Sequence, residues 1–356
     1  MNKKELERAI EKTVLKMALD PKNVDNYHEL AKYYAMDNQY EKVISIYESL
    51  LEINPKDMQT LLNLGSIWFY AKEYKKALKC FNEAMLVNPS NYLVYYNMAN
   101  TYAEMKNFAK ALHYYSRTLD FNSQDPEIYN AIALLYHDFE DYVESRAYYE
   151  KALSIDPNNL TALVDLGNVC FKLFDYNKAL EYYYKVFSLA PDNKTVALCI
   201  ANTLAVTKDK SKCYEYFDKA LTLEGDNYKA YICYAIAKSD FNDYDGAIEL
   251  YKKAIELNPK EVNAYILLGN LYSNMKNLAD AEVQYREALK INKLDPSIYV
   301  LIANVYYMNN EIERSIYSYR AAVNLRPEND EYKLVFIQAL EDFMQDSRKG
   351  DIVANF

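Results

Sequence analysis

The sequence predicts an all-α fold, a solenoid of nine tandem helical hairpins with a capping helix at each end. Two observations carry that expectation. Prolines fall at Pro21, Pro55, Pro89, Pro157, Pro191, Pro259 and Pro327, and every interval between them is a multiple of 34 residues. The chain has only 6 glycines and 9 prolines in 356 residues, too little turn material for a strand-rich fold.

The first element, residues 1–23, reads as a lone N-terminal helix. Leu6, Ile10, Val14 and Met17 form an apolar stripe, and charges run through its whole length, which is unlike a signal peptide. Nine units then fill residues 24–329, starting at Val24, Met58, Tyr92, Pro126, Leu160, Lys194, Tyr228, Val262 and Pro296, with no insertion or deletion. Ser123, Gly225 and Lys293 stand where the proline rhythm is broken.

Within a unit, small residues recur at position 8 (Ala31, Gly65, Ala99 and their equivalents), position 20 (Ala77, Ala111) and position 27 (Ala84, Ala152). Large residues recur at position 4 (Tyr27, Tyr95), position 11 (Tyr34, Trp68, Tyr102) and position 24 (Tyr47, Phe81, Tyr115, Tyr149). Positions 4, 8 and 11, like positions 20, 24 and 27, are spaced i, i+4, i+7, so each trio shares one face of its own helix. Small residues let the two helix axes approach, and aromatic rings fill the space beside them. The sixth unit (Ala197, Leu204, Cys213, Gly225) and the seventh, with Lys238 where an aromatic is expected, should pack most loosely.

After the repeats, residues 330–349 read as a C-terminal capping helix with Tyr332, Phe336, Ala339, Leu340 and Phe343 on its apolar side, and 350–356 as a flexible tail. Caps are expected because a terminal repeat has one neighbour only.

These columns resemble the tetratricopeptide repeat, most closely in the unit holding Leu61, Leu64, Gly65, Trp68, Ala77, Phe81, Ala84 and Pro89. The array is similar to the superhelical repeat region of the O-linked N-acetylglucosamine transferases. The resemblance implies a right-handed superhelix whose first helices line a concave groove with positions 2, 5, 6, 9, 12 and 13. At positions 6 and 9 stand Asn63, Asn97, Asn100, Asn168, Asn202, Asn270 and Asn304, a partial asparagine ladder. A carboxamide both donates and accepts, so it can pair with the backbone of an extended peptide whatever its side chains. The same residues could instead bridge neighbouring helices. Phe69, Phe171 and Tyr307 at position 12 face the groove, and position 5, with Leu62, Tyr96, Val164 and Ile232 among others, supplies either an apolar stripe or core.

Charge narrows the partner. With 41 basic and 51 acidic residues the net charge is −10, which opposes phosphate backbones and anionic lipid surfaces, and there is no basic patch. No 18-residue uncharged apolar run is present, so no membrane insertion is expected. The expected groove is mildly acidic, with Asp25, Glu29, Glu104, Glu127, Asp138, Asp165 and Asp240 against Lys32, Lys172 and Lys229, favouring a neutral or basic peptide segment. The resemblance also raises a carboxylate clamp for acidic C-terminal tails, but of its positions only Asn63 matches.

Chemistry of other kinds finds no support. His28, His113 and His137 occupy different repeat positions, and no phosphate loop or nucleophile motif occurs, so neither an enzyme, a cofactor nor a metal site is expected. Cys80, Cys170, Cys199, Cys213 and Cys233 are odd in number without paired spacing, which suggests reduced core thiols and a cytoplasmic setting. The reading is a non-enzymatic scaffold or adaptor that binds an extended segment of a partner protein. The alternatives are a substrate-presenting subunit of a glycosyltransferase complex and a self-assembling scaffold, which would be a homo-oligomer.

Overall fold

The computed structural model describes residues 3–349, with side chains through 345. The tail expected at 350–356 lies outside the described residues. Those residues form twenty helices and no strand. Helix α1 (Lys3–Leu19) is followed by nine pairs. Their first helices are α2 (Val24–Met36), α4 (Met58–Tyr70), α6 (Tyr92–Glu104), α8 (Pro126–Asp138), α10 (Leu160–Lys172), α12 (Lys194–Val206), α14 (Tyr228–Asp240), α16 (Val262–Asn274) and α18 (Pro296–Met308). Their second helices are α3 (Tyr40–Ile53), α5 (Tyr74–Val87), α7 (Phe108–Phe121), α9 (Tyr142–Ile155), α11 (Tyr176–Leu189), α13 (Lys210–Leu223), α15 (Tyr244–Leu257), α17 (Leu278–Ile291) and α19 (Ile312–Leu325), and α20 (Asp330–Lys349) closes the series.

Local chemistry sets these boundaries. Eight of the nine first helices start at Asn or Asp N-caps whose side chains accept from backbone N–H groups in the first turn, as Asn23 does from Asp25, Asp57 from Thr60 and Asn159 from Ala162. Helix α16 starts at Glu261 without a side-chain cap. Each first helix ends in a left-handed residue at position 15, from Asn38 (φ 57°) to Asn310 (φ 59°), and none of the nine is glycine. Around it the N–H groups of positions 15 and 16 return to carbonyls of the last turn, as Lys72 does to Phe69 at 2.9 Å and Glu73 to Trp68 at 2.9 Å. The turn between repeats is pinned by the position-4 tyrosines. Tyr95 donates its hydroxyl to the Pro89 carbonyl at 2.7 Å, and Tyr27, Tyr129, Tyr231, Tyr265 and Tyr299 repeat the bond to the residue six before them.

The chain divides into two compact units, Met1–Tyr182 and Tyr183–Phe356. In the first, Ala99 and Ala111 lie fully buried against Tyr115, with Ile128 and Ile132 of the next repeat completing the cluster. Leu61, Ala77, Phe81, Ala84 and Met98 form the equivalent core one repeat earlier. Position-19 cations cover the position-11 rings, with Lys42 Nζ 4.8 Å from the Tyr34 centroid and Lys76 Nζ 4.2 Å from that of Trp68.

In the second unit, Ala247, Tyr251, Ala264, Leu268, Ala281 and Tyr285 belong to one core cluster, and Ala339 of α20 packs with Ala303 and Tyr319. The looseness expected of the sixth and seventh repeats is absent from their packing. Ala197, Cys213 and Phe217 are fully buried, and the Phe217 and Tyr234 rings stack at 4.6 Å. Lys238, the apparent defect, places Nζ 2.9 Å from Asp243 Oδ2 and over the rings of Tyr214 and Tyr234 at 4.9 and 5.4 Å. The cation has moved from position 19 to position 11, and position 19 is here Gly246, where a Cβ would stand 2.7 Å from Lys238 Nζ.

Candidate functional site

A cavity of about 300 Å³ with a mixed polar and apolar wall opens on the first helices of the first unit. Phe69 of α4, Tyr96, Asn100 and Glu104 of α6, Glu127, Asn130, Leu134 and Asp138 of α8, and Thr161 and Asp165 of α10 line it. All stand at repeat positions 2, 5, 6, 9, 12 or 13. They meet because four successive first helices lie side by side, each capped and turned alike. The second helices contribute Tyr115 and Tyr149.

Tyr115 donates its hydroxyl to Asn100 Oδ1, so the ladder asparagine is oriented by the second helix of its own repeat. In the second unit Tyr285 does the same for Asn270 at 2.7 Å, and Tyr319 for Asn304. With Oδ1 engaged by a phenol, the amide N–H groups are what each asparagine has for another acceptor, and at Asn100 one of them already meets the Tyr96 hydroxyl. Asn63 differs: its Nδ2 donates to the Tyr47 hydroxyl at 3.2 Å across a repeat boundary, and its Oδ1 accepts from Gln59 at 2.9 Å. Asn168 shares a side-chain hydrogen bond with Asp165. Asn97 and Asn202 are half-buried.

Of the aromatic candidates, Phe69 lies against Tyr70 and Tyr74, with centroids 5.4 and 6.0 Å away, and Tyr96 against Tyr115 at 6.0 Å. Phe171 is half-buried edge-on to Tyr176 at 5.3 Å. Tyr307, in the second unit, is exposed, and its hydroxyl donates to Asp342 Oδ2 of α20 at 2.5 Å. The cavity therefore brings together Phe69, Tyr96 and Asn100 with the groove acids Glu104, Glu127, Asp138 and Asp165, and none of the other asparagine or aromatic candidates. The position-5 column is no open stripe: Leu62 and Ile232 are buried, and Val164, Leu198, Ile266 and Val300 half-buried.

The electrostatics are acidic. Burial raises the pKa of the Asp165 carboxyl from its ordinary value, opposed chiefly by the Tyr149 hydroxyl 3.4 Å away. Glu127 Oε1 accepts from Nδ2 of Asn159 at 3.1 Å and of Asn130 at 3.4 Å, while Asp138 pairs with Lys106 at 3.3 Å. Asn130 is absent from the sequence candidates. The signal that marks it is a carboxamide interrupting the apolar position-5 column. Among the described residues no group of three or more His, Cys, Asp or Glu side chains is arranged to hold a metal ion, and no helix is long and apolar enough to cross a membrane.

Family profiles described as tetratricopeptide repeat match residues 59–91, 90–158, 124–192 and 239–305, together more than half of the chain. No curated protein matches it. Among solved structures, a tetratricopeptide repeat protein from Parabacteroides merdae is 17% identical, with a TM-score of 0.56 over 70% of this chain and 98% of that one. Yeast Tom70 is likewise 17% identical, with a TM-score of 0.51 over 98% of this chain and 94% of that one. At such identity these two likenesses speak to the fold.

Proposed function

The chain belongs to the tetratricopeptide repeat family, a family of protein-interaction scaffolds, and on that premise we propose that it holds an extended segment of a partner protein against its first helices. The role is non-enzymatic and cytoplasmic, in keeping with five free thiols. One observation carries the reading: asparagines at position 9 are fixed through Oδ1 by tyrosines of the second helices, at Asn100, Asn270 and Asn304 alike. Fixing an amide before a ligand arrives lowers the ordering cost of binding. Its remaining N–H groups suit the carbonyls of an extended backbone, which every sequence carries.

The test is a photo-crosslinking residue placed at Leu134, which lines the cavity and is exposed, or at Leu86, which is exposed on α5. Expressed in its source cells, the Leu134 variant should capture partner protein that the Leu86 variant does not. Equal capture at both, or capture at Leu86 alone, would move the binding surface off the first helices.

A further inference from the structure

We infer that the cavity beside Asn130 receives a single arginine side chain of the bound segment, an inference that rests on the groove reading above. Asn130 is only 7% exposed, and its Oδ1 is buried with no hydrogen-bond partner. The amide cannot turn over to relieve this. Its Nδ2 faces Glu127 Oε1, a carboxylate oxygen that can only accept. An orphaned buried carbonyl is costly in a folded protein, so a small rotation of the Asn130 side chain into the cavity it lines, where a ligand donor meets Oδ1, is offset by removing that cost.

The rest of the wall asks for the same kind of ligand. Glu104, Glu127, Asp138 and Asp165 present acceptors, with Lys106 the cation paired to one of them, so the complementary group is a cation rich in N–H. No three of these carboxylates converge as metal ligands, which leaves an organic cation with spread donors. Phe69 and Tyr96 add two aromatic rings. A guanidinium is planar, offers five donors and stacks on aromatic faces, whereas an ammonium is compact and more strongly hydrated. The site is thus built for arginine ahead of lysine, and an uncharged isostere would leave the carboxylates without their counter-charge.

The experiment uses the whole chain, isotope-labelled, titrated with the capped tripeptide Gly-Arg-Gly and with its lysine and citrulline counterparts, reading amide shifts by NMR. Shifts confined to Phe69 and residues 96–104, 127–138 and 161–165 are expected for the arginine peptide, with the citrulline peptide bound about ten-fold more weakly and lysine between. Glu127→Gln and Asn130→Leu should each weaken arginine binding about five-fold or more while leaving distant amide shifts in place. Glu104→Gln, at an exposed residue, guards against misfolding of the other two and should also weaken it. Equal binding of arginine and citrulline peptides, shifts elsewhere, or none, would overturn the inference. Longer peptides selected on the chain separate the two ideas: if they bind the first helices but are indifferent to Glu127→Gln, the arginine site fails and the groove stands. If they bind only second helices, the groove fails first.

Discussion

The Tyr285 hydroxyl donates to Asn270 Oδ1 at 2.7 Å, joining the second helix of the eighth repeat to its first. Tyr285 is 2% exposed, so replacing Asn270 by alanine leaves a buried phenol unpaired. That should cost about 1–3 kcal/mol in urea unfolding, and adding Tyr285→Phe should restore most of it. A single Asn270→Ala as stable as the parent would mean that the phenol finds another partner.

Glycine at position 8 makes a steric prediction. A Cβ on Gly269 would lie 2.5 Å from Tyr285 Cε1, and one on Gly65 would meet Phe81 Cε1 closer still. Alanine gains about 1 kcal/mol of helix propensity but must push back a ring with nowhere to go, at about 1–3 kcal/mol. Gly65→Ala and Gly269→Ala should therefore lower the urea midpoint slightly, although alanine serves at the same position in six other repeats. A raised midpoint would show that the ring shifts freely.

Phe174 sits in the left-handed region at φ 61° with its side chain 77% exposed. A phenylalanine there is strained by about 1–2 kcal/mol, and asparagine tolerates the conformation better. Phe174→Asn should stabilise the chain by on the order of 1 kcal/mol, and the reverse change Asn242→Phe, at the equivalent residue, should destabilise it similarly. Thermal midpoints of the two variants moving in the same direction would contradict this.

Alkaline pH supplies a further check. Burial pushes the thiols of Cys80, Cys170 and Cys199 from 9.0 to about 11, and the Tyr285 phenol from 10.0 to about 12. A pKa raised in the folded state means that the fold binds these protons more tightly than the unfolded chain. The stability so gained is complete below the unfolded values, shrinks as pH passes 9.0 and is lost above the folded ones. Stability against urea should thus show no loss from these groups below pH 9.0 and fall steadily towards pH 12. Native thiols should alkylate slowly at pH 8, roughly, compared with the urea-unfolded chain. Rapid labelling of all five would mean that the cores open readily.

Most of the helical fold was legible because one period carries it. Ala84 and Phe81 repeat at fixed spacing, and the eye needs no structure to see that they share a helix face. The left-handed turns were not legible, since lysine, glutamate and even Phe174 occupy a place where glycine would have been a signal. Lys238 was misread as a flaw because its compensation, Gly246, lies eight residues on in a different column. At the site, Phe69, Tyr96 and Asn100 followed from repeat position. Asn130 stands out in its column only as a carboxamide among apolar residues, and what that means lies in burial and an unpaired oxygen, which no spacing reveals. Tyrosine at position 24 recurs with asparagine at position 9 in the third, fifth, eighth and ninth repeats, and the phenol-to-amide bonds of the third, eighth and ninth could have been read from that pairing.

Calorimetric titration of library-selected extended peptides against variants of the whole chain bears most directly on the groove. Pairing Asn100→Ala with Tyr115→Phe, and Asn270→Ala with Tyr285→Phe, removes ladder amides together with the position-24 hydroxyls that hold them. Affinity should fall about 3- to 10-fold for each pair, alike for peptides of different sequence, while Leu86→Ala changes nothing. Unchanged affinity in both paired variants, with loss in Leu86→Ala, would place recognition on the second helices.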